Sequence, residues 1–195
     1  MTATATRYDF DQIIANYDRT VAPLHEEYLA TLNQGGKMRG TVGKLYEDIA
    51  QGIIYAVDDQ LVVKHNDYVL VESFPGSDTF MKVQVDLHVY KDNELLAIVE
   101  CKTYLDRSML DRACSESEKI REVYPGVPTA VFAGQFDVAD NSFDWYNHRF
   151  QFETFVINQT YRRDSKAPVF KTCDPLNMEA MQSFAQWIQS LVDNF

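Results

Sequence analysis

Apolar and polar residues alternate along residues 81–90, MKVQVDLHVY. Val83, Val85, Leu87 and Val89 fall on one face, and Gln84, Asp86, His88 and Tyr90 on the other. A polar cluster, Lys91-Asp92-Asn93-Glu94, separates this run from residues 96–103, LAIVECKT, which are rich in strand-forming side chains. The pattern predicts two antiparallel strands joined by a turn near Asn93. In the second strand Glu100 and Lys102 share a face. Directly opposed residues lie on the same face of a sheet, so a connection with an odd number of residues, three or five around Asn93, sets Asp86 against Glu100. Their Cβ atoms would then lie roughly 4.5–5.5 Å apart.

Helical spacing dominates elsewhere. Ile14, Tyr17, Val21, Leu24 and Tyr28 recur at steps of three and four, which predicts a helix over residues 8–33 that Pro23 kinks or divides. That stripe is either ordinary core or a face for a second subunit. A glycine-punctuated break at 34–40 precedes a second helix over 41–56, in which Leu45, Ile49, Ile53 and Val57 line one side and Ala50 and Ile54 another. Residues 61–63 and 68–71 read as short strands turning at 65–67, and a further turn at 74–78 leads into the hairpin, so an antiparallel meander is expected. After the hairpin, residues 105–124 carry Leu105, Met109, Ala113, Ile120 and Val123 at helical spacing, and Pro125-Gly126 ends the helix. Residues 127–133 form a further apolar strand. Strand, helix and strand in this order suit a right-handed crossover between parallel strands. Residues 137–149 are irregular in pattern, 152–158 read as another strand, and Met181, Phe184, Ala185, Ile188 and Leu191 mark a closing helix over 178–192.

A chain of 195 residues fits one globular domain with a substantial core. No apolar run approaches the roughly 20 residues of a membrane span, and residues 1–7 lack a signal-peptide hydrophobic region, so a soluble, cytoplasmic protein is expected. Cys101, Cys114 and Cys173 show neither a CxxC pair nor zinc spacing and read as reduced structural thiols. Eighteen Lys plus Arg against 29 Asp plus Glu give a net charge of −11, which argues against a protein that coats nucleic acid indiscriminately. Two basic islands interrupt this acidity: Lys37, Arg39 and Lys44, and Arg162, Arg163, Lys166 and Lys171 against Asp164 alone. Each is either a solvated loop or a local nucleic-acid contact.

The chemistry gathers at Asp86, Glu100 and Lys102. Glu100 and Lys102 could form a same-face ion pair on a solvated sheet. Against this, residues 95–99, LLAIV, are apolar on both faces, as in a strand buried on both sides, where charges must be paired, hydrogen-bonded or bound to a metal. Glu47, in the second helix, is either solvated beside Asp48 or a partly buried carboxylate in need of a partner.

An aspartate on one strand, an acid-any-lysine triplet on the next, a following helix and a parallel strand together resemble the PD-(D/E)xK nuclease superfamily. The matching residues are Asp86 and Glu100-Cys101-Lys102, and Gly43-Lys-Leu-Tyr-Glu47 resembles the helix-borne glutamate of many type II restriction endonucleases. Val85 stands where the motif has its proline. A second triplet, Asp164-Ser165-Lys166, lacks the strand context. The resemblance implies an α/β (α+β) fold with a restriction-endonuclease-like mixed central sheet flanked by helices, in one nuclease domain over 1–195. Within it, 1–40 would be a helical segment able to dimerise, 41–135 the catalytic core, and 136–195 a peripheral strand, basic loop and closing helix. It further implies a Mg²⁺-dependent type II restriction endonuclease, a homodimer cutting double-stranded DNA at a short palindromic site. In such a site Asp86, Glu100 and the Cys101 backbone carbonyl hold Mg²⁺, Lys102 orients the attacking water, and Glu47 binds a water of the metal shell or assists a second ion. Lys37, Arg39, Lys44, Arg162, Arg163 and Lys166 would contact DNA. Two other readings remain: a structure-specific repair or recombination nuclease of the same superfamily, and a non-catalytic DNA-binding protein that keeps the fold.

Overall fold

In a computed structural model, residues 8–31, 35–159 and 174–195 are described. Helices α1 (Asp11–Thr31) and α2 (Gly35–Val57) lead into strands β1 (Val62–His65), β2 (Tyr68–Glu72), β3 (Phe80–Gln84), β4 (Leu87–Lys91) and β5 (Glu94–Leu105). Then follow α3 (Arg107–Val123), β6 (Thr129–Phe136), α4 (Asp140–Phe150), β7 (Glu153–Val156) and α5 (Met178–Asn194). A five-stranded mixed sheet runs β1-β4-β5-β6-β7, antiparallel from β1 to β5 and parallel from β5 to β7, while β2 and β3 pair as a separate ribbon. Alternation along the central strands sorts their side chains into two layers. Ala97, Val99, Cys101, Ala130 and Phe132 pack with α1, α2 and α5, and Val131, Ala133 and Phe136 pack with α3 and α4. The result is the expected fold class, a mixed α/β architecture with helices on both faces of the sheet.

Several local expectations change. Residues 81–90 are not one strand but β3 and β4, separated at Val85 and Asp86. Nor do β1 and β2 pair with each other as a meander requires. Asn66, at φ 52°, bends the chain without reversing it, so β1 and β2 form one arm of a long hairpin and β3 and β4 the other. The hairpin is bent halfway, at Asn66 on one arm and Asp86 on the other, where the Asn66 N–H donates to the Asp86 carbonyl at 2.9 Å. Beyond the bend the ribbon leaves the sheet and lays Val69, Val71, Val83 and Val85 against Ile120 of α3. Hence Val83 and Val85 lie in a different core from Leu87 and Val89.

The β4–β5 connection also differs in length. Asp92 and Asn93, at φ 50° and 69°, make a two-residue turn of the type favoured in hairpins, and a bulge leaves Leu96 unopposed between the pairs Val89–Ala97 and Tyr90–Leu95. The bulge supplies the odd residue that the turn lacks. Downstream of it the ladder continues with Leu87 opposite Val99, so Asp86 still faces Glu100.

At the N-terminal side, α2 begins at Gly35, so the break expected at 34–40 is helical from that residue on, and Pro23 lies within α1 rather than dividing it. Glycine disfavours a helix by only about 1 kcal/mol per residue, which the packing of Val42, Tyr46, Ile49 and Ile53 outweighs. Residues 140–150, acidic and aromatic, form α4; Tyr146 faces the core while Trp145 is exposed. The C-terminal end of α4 is tied to α3 by Arg121, whose guanidinium donates to the carbonyls of Phe150 (2.6 Å) and Gln151 (2.8 Å) and to the Thr129 hydroxyl. Replacing Arg121 with methionine strands these acceptors at a cost of about 2 kcal/mol. The melting temperature is expected to fall by roughly 4–8 °C in a calorimetric scan.

Candidate active site

The bend in the long hairpin fixes Asp86 beside the middle of β5. Strand β5 presents Glu100 and Lys102 on the face toward α3, while Cys101 turns to the opposite core, as its alternating position requires. The Cys101 backbone N–H donates to Asp86 Oδ2 at 2.7 Å, and the Asp86 backbone N–H donates to Glu100 Oε2 at 3.3 Å. Lys102 Nζ lies 3.3 Å from the same Asp86 oxygen and is ion-paired with Glu100 Oε1. The three side chains are only 10–23% exposed, which excludes a merely solvated surface pair.

Electrostatics follow from this crowding. Burial pushes the Glu100 carboxyl up to about 7; Lys102 opposes the shift, and the charges of Asp86 and Glu116 add to it. Burial works against the charge on Lys102, but Glu100 and Asp86 outweigh it and hold its pKa above the usual value. Burial likewise raises the Cys101 thiol well above its ordinary range, so this sulfur is a packing group and not a nucleophile.

The donor set fits a hard divalent cation. Two carboxylates already enclose one positive charge, the Lys102 ammonium, and Mg²⁺ binds through one or two carboxylates while keeping several waters. Among the described residues no group of three or more His, Cys, Asp or Glu converges on one point. Asp86 and Glu100 are the two carboxylates that meet Lys102.

Glu47 lies on α2. Its Oε2 contacts Lys44 Nζ at 3.0 Å and His65 Nδ1 at 3.1 Å, so it is neither solvated nor joined to Asp86 and Glu100 by a shared ion pair. Lys44 also pairs with Asp48 at 3.3 Å. Lys37 and Arg39 sit in the first turns of α2, with side chains outside the described part. Arg162, Arg163, Lys166 and Cys173 lie outside the described residues.

Two neighbours of the site escaped the sequence reading. Arg112 and Glu116 of α3 form an ion pair at 2.8 Å, and Glu116 shares a small cavity with Glu100. The available signal was an acid within the apolar stripe, at 116 in the series Ala113, Glu116, Ile120.

No family model and no curated protein matches the chain. Among solved structures it is similar to the native BbvCI A2B2 tetramer, with 14% identity and a TM-score of 0.40 over 93% of this chain and 87% of that one. Among the described residues no helix is long and apolar enough to cross a membrane.

Proposed function

We propose that this chain is a Mg²⁺-dependent type II restriction endonuclease, which hydrolyses phosphodiester bonds of double-stranded DNA at a short palindromic site. One observation carries the reading. Asp86, Glu100 and Lys102 converge at a hairpin bend, on a frame of antiparallel strand, acid-any-lysine strand, helix and parallel strand.

Asp86, Glu100 and the Cys101 carbonyl would hold the ion. When bound, Mg²⁺ supplies positive charge against the phosphate and a more acidic water. Everything else in the proposal is done by the chain's own groups. The Cys101 N–H fixes the plane of the Asp86 carboxylate, and the Asp86 N–H does the same for Glu100, so the two acids are oriented before any ligand arrives. Lys102 orients the attacking water and meets the negative charge that grows on the phosphate. Glu47, held by His65 and Lys44, acts from the outer sphere. Lys37, Arg39 and Lys44, with Arg162, Arg163 and Lys166, contact DNA and offset the repulsion of an acidic chain. A homodimer matches its two-fold axis to that of a palindromic site.

The test is digestion of a sequenced plasmid with purified protein, with Mg²⁺ and with EDTA. Discrete fragments only with Mg²⁺, carrying uniform ends on sequencing, are the expected result. A Mg²⁺-dependent smear would replace site recognition by structure-specific cutting, and intact plasmid bound by the protein would mean a non-catalytic DNA-binding role.

A further inference from the structure

Beside Glu100 a cavity offers about 10 Å³ to water, close to the minimum needed for one molecule. Its lining includes Ile98 and Glu100 of β5, Thr129 of β6, Glu116 and Ser117 of α3, and Val85. Glu116 enters it in an uneven state. Its Oε1 accepts from Arg112 Nε at 2.8 Å, whereas its Oε2 is buried and has no hydrogen-bond partner among the described residues. A buried carboxylate oxygen is costly to leave unsatisfied. Thr129 is 3% exposed, and its hydroxyl accepts from Arg121, which leaves its own hydrogen free to be donated.

We infer that Glu116 is a positioning residue for Glu100, acting through a single water in this cavity that donates to both carboxylates and accepts from the Thr129 hydroxyl. Each end of this bridge has a second contact. Arg112 pairs with Glu116 one helical turn away on α3, Thr129 starts β6 beside Ile98 of β5, and Glu100 also meets Lys102 and the Asp86 N–H. The bridge fixes the rotation of the Glu100 carboxylate, and with it the direction in which its oxygens face a cation. The inference rests on the reading of Asp86 and Glu100 as a divalent-ion site, and it assigns Glu116 no contact with the ion.

The experiment measures Mn²⁺ affinity by titration calorimetry, without DNA, on wild type, Glu116→Leu and Glu116→Gln. The folds are checked by circular dichroism melts, and Glu116→Ala substitutes if the leucine variant does not fold. Outer-shell groups of this kind set metal affinity by about ten- to a hundredfold, so Glu116→Leu is expected to weaken Mn²⁺ binding by about tenfold. Glu116→Gln keeps the Arg112 contact and can still bond the water, so its affinity is expected to stay close to wild type. Equal losses in both variants would make Glu116 a source of charge only and overturn the positioning role, as would unchanged binding in Glu116→Leu. Failure of the wild type itself to bind Mn²⁺ would overturn the metal reading and this inference together. A high-resolution crystal structure supplies a second readout: a water within hydrogen-bond distance of Glu100, Glu116 and Thr129 supports the bridge, and a dry cavity overturns it.

Discussion

Lys102→Ala is expected to lower DNA cleavage by about a hundred- to a thousandfold or more, the loss that follows removal of one preorganised charge-stabilising donor. The protein should nevertheless remain folded. Lys102 is the cation between two carboxylates, so its removal leaves Asp86 and Glu100 to repel one another. Each carboxylate keeps a backbone N–H donor, from Cys101 and Asp86 respectively, and the ladder that joins β5 to β6 does not involve the lysine side chain. A stability loss of about 1–3 kcal/mol is expected, within what a domain of this size withstands. Plasmid cleavage assays paired with thermal melts separate the two effects. Undiminished cutting by a well-folded Lys102→Ala protein would defeat the assignment of the site.

Gly134→Ala is expected to be the most damaging single-methyl change in the described core. Gly134 lies in β6, where a Cβ would come within 2.5 Å of the Thr103 carbonyl oxygen and 2.8 Å of the Tyr46 ring. The first obstacle is backbone and cannot swing aside. The second is a buried ring whose hydroxyl donates to Asn158 Oδ1 at 2.9 Å, and moving it takes that donor away. Overpacking typically costs about 1–3 kcal/mol, and a backbone obstacle puts this site at the upper end. Tyr46 precedes Glu47 on α2, so relief of the clash also displaces the helix that carries Glu47. Chemical denaturation should show a lower midpoint for Gly134→Ala, and Tyr46→Phe in the same chain should restore little, because the Thr103 carbonyl stays in place. A midpoint equal to wild type would mean that β6 and β5 can separate locally at this point.

Much of this arrangement was legible in residue order. Alternation along 81–90 and 96–103 places Glu100 and Lys102 on one face and turns Cys101 to the other, and β5 to β6 is the parallel pair that the strand-helix-strand spacing suits. The bend was not legible. Val83, Val85, Leu87 and Val89 keep perfect alternation in sequence, yet a break at Asp86 sends the first two to the core under α3 and the last two to the core under α2. Periodicity reports which side chains are apolar, not which sheet a strand joins. The α4 helix was missed for a related reason: Phe143, Trp145, Tyr146 and Phe150 do not make a clean 3.6-residue stripe, and Trp145 is exposed. Helix packing leaves Glu47 either solvated or in need of a partner, and its contacts with His65 and Lys44 depend on how β1 passes beside α2, which residue spacing does not encode.

The bulge at Leu96 carries a consequence for how such a site can vary. Two turn residues alone would turn Asp86 and Glu100 to opposite faces, and the unopposed residue returns them to the same one. Parity, not length, is therefore the quantity that this hairpin must keep. Chains with the same site are expected to differ in the spacing of the two acids by even numbers of residues, and a single insertion can be absorbed only by erasing or adding a bulge.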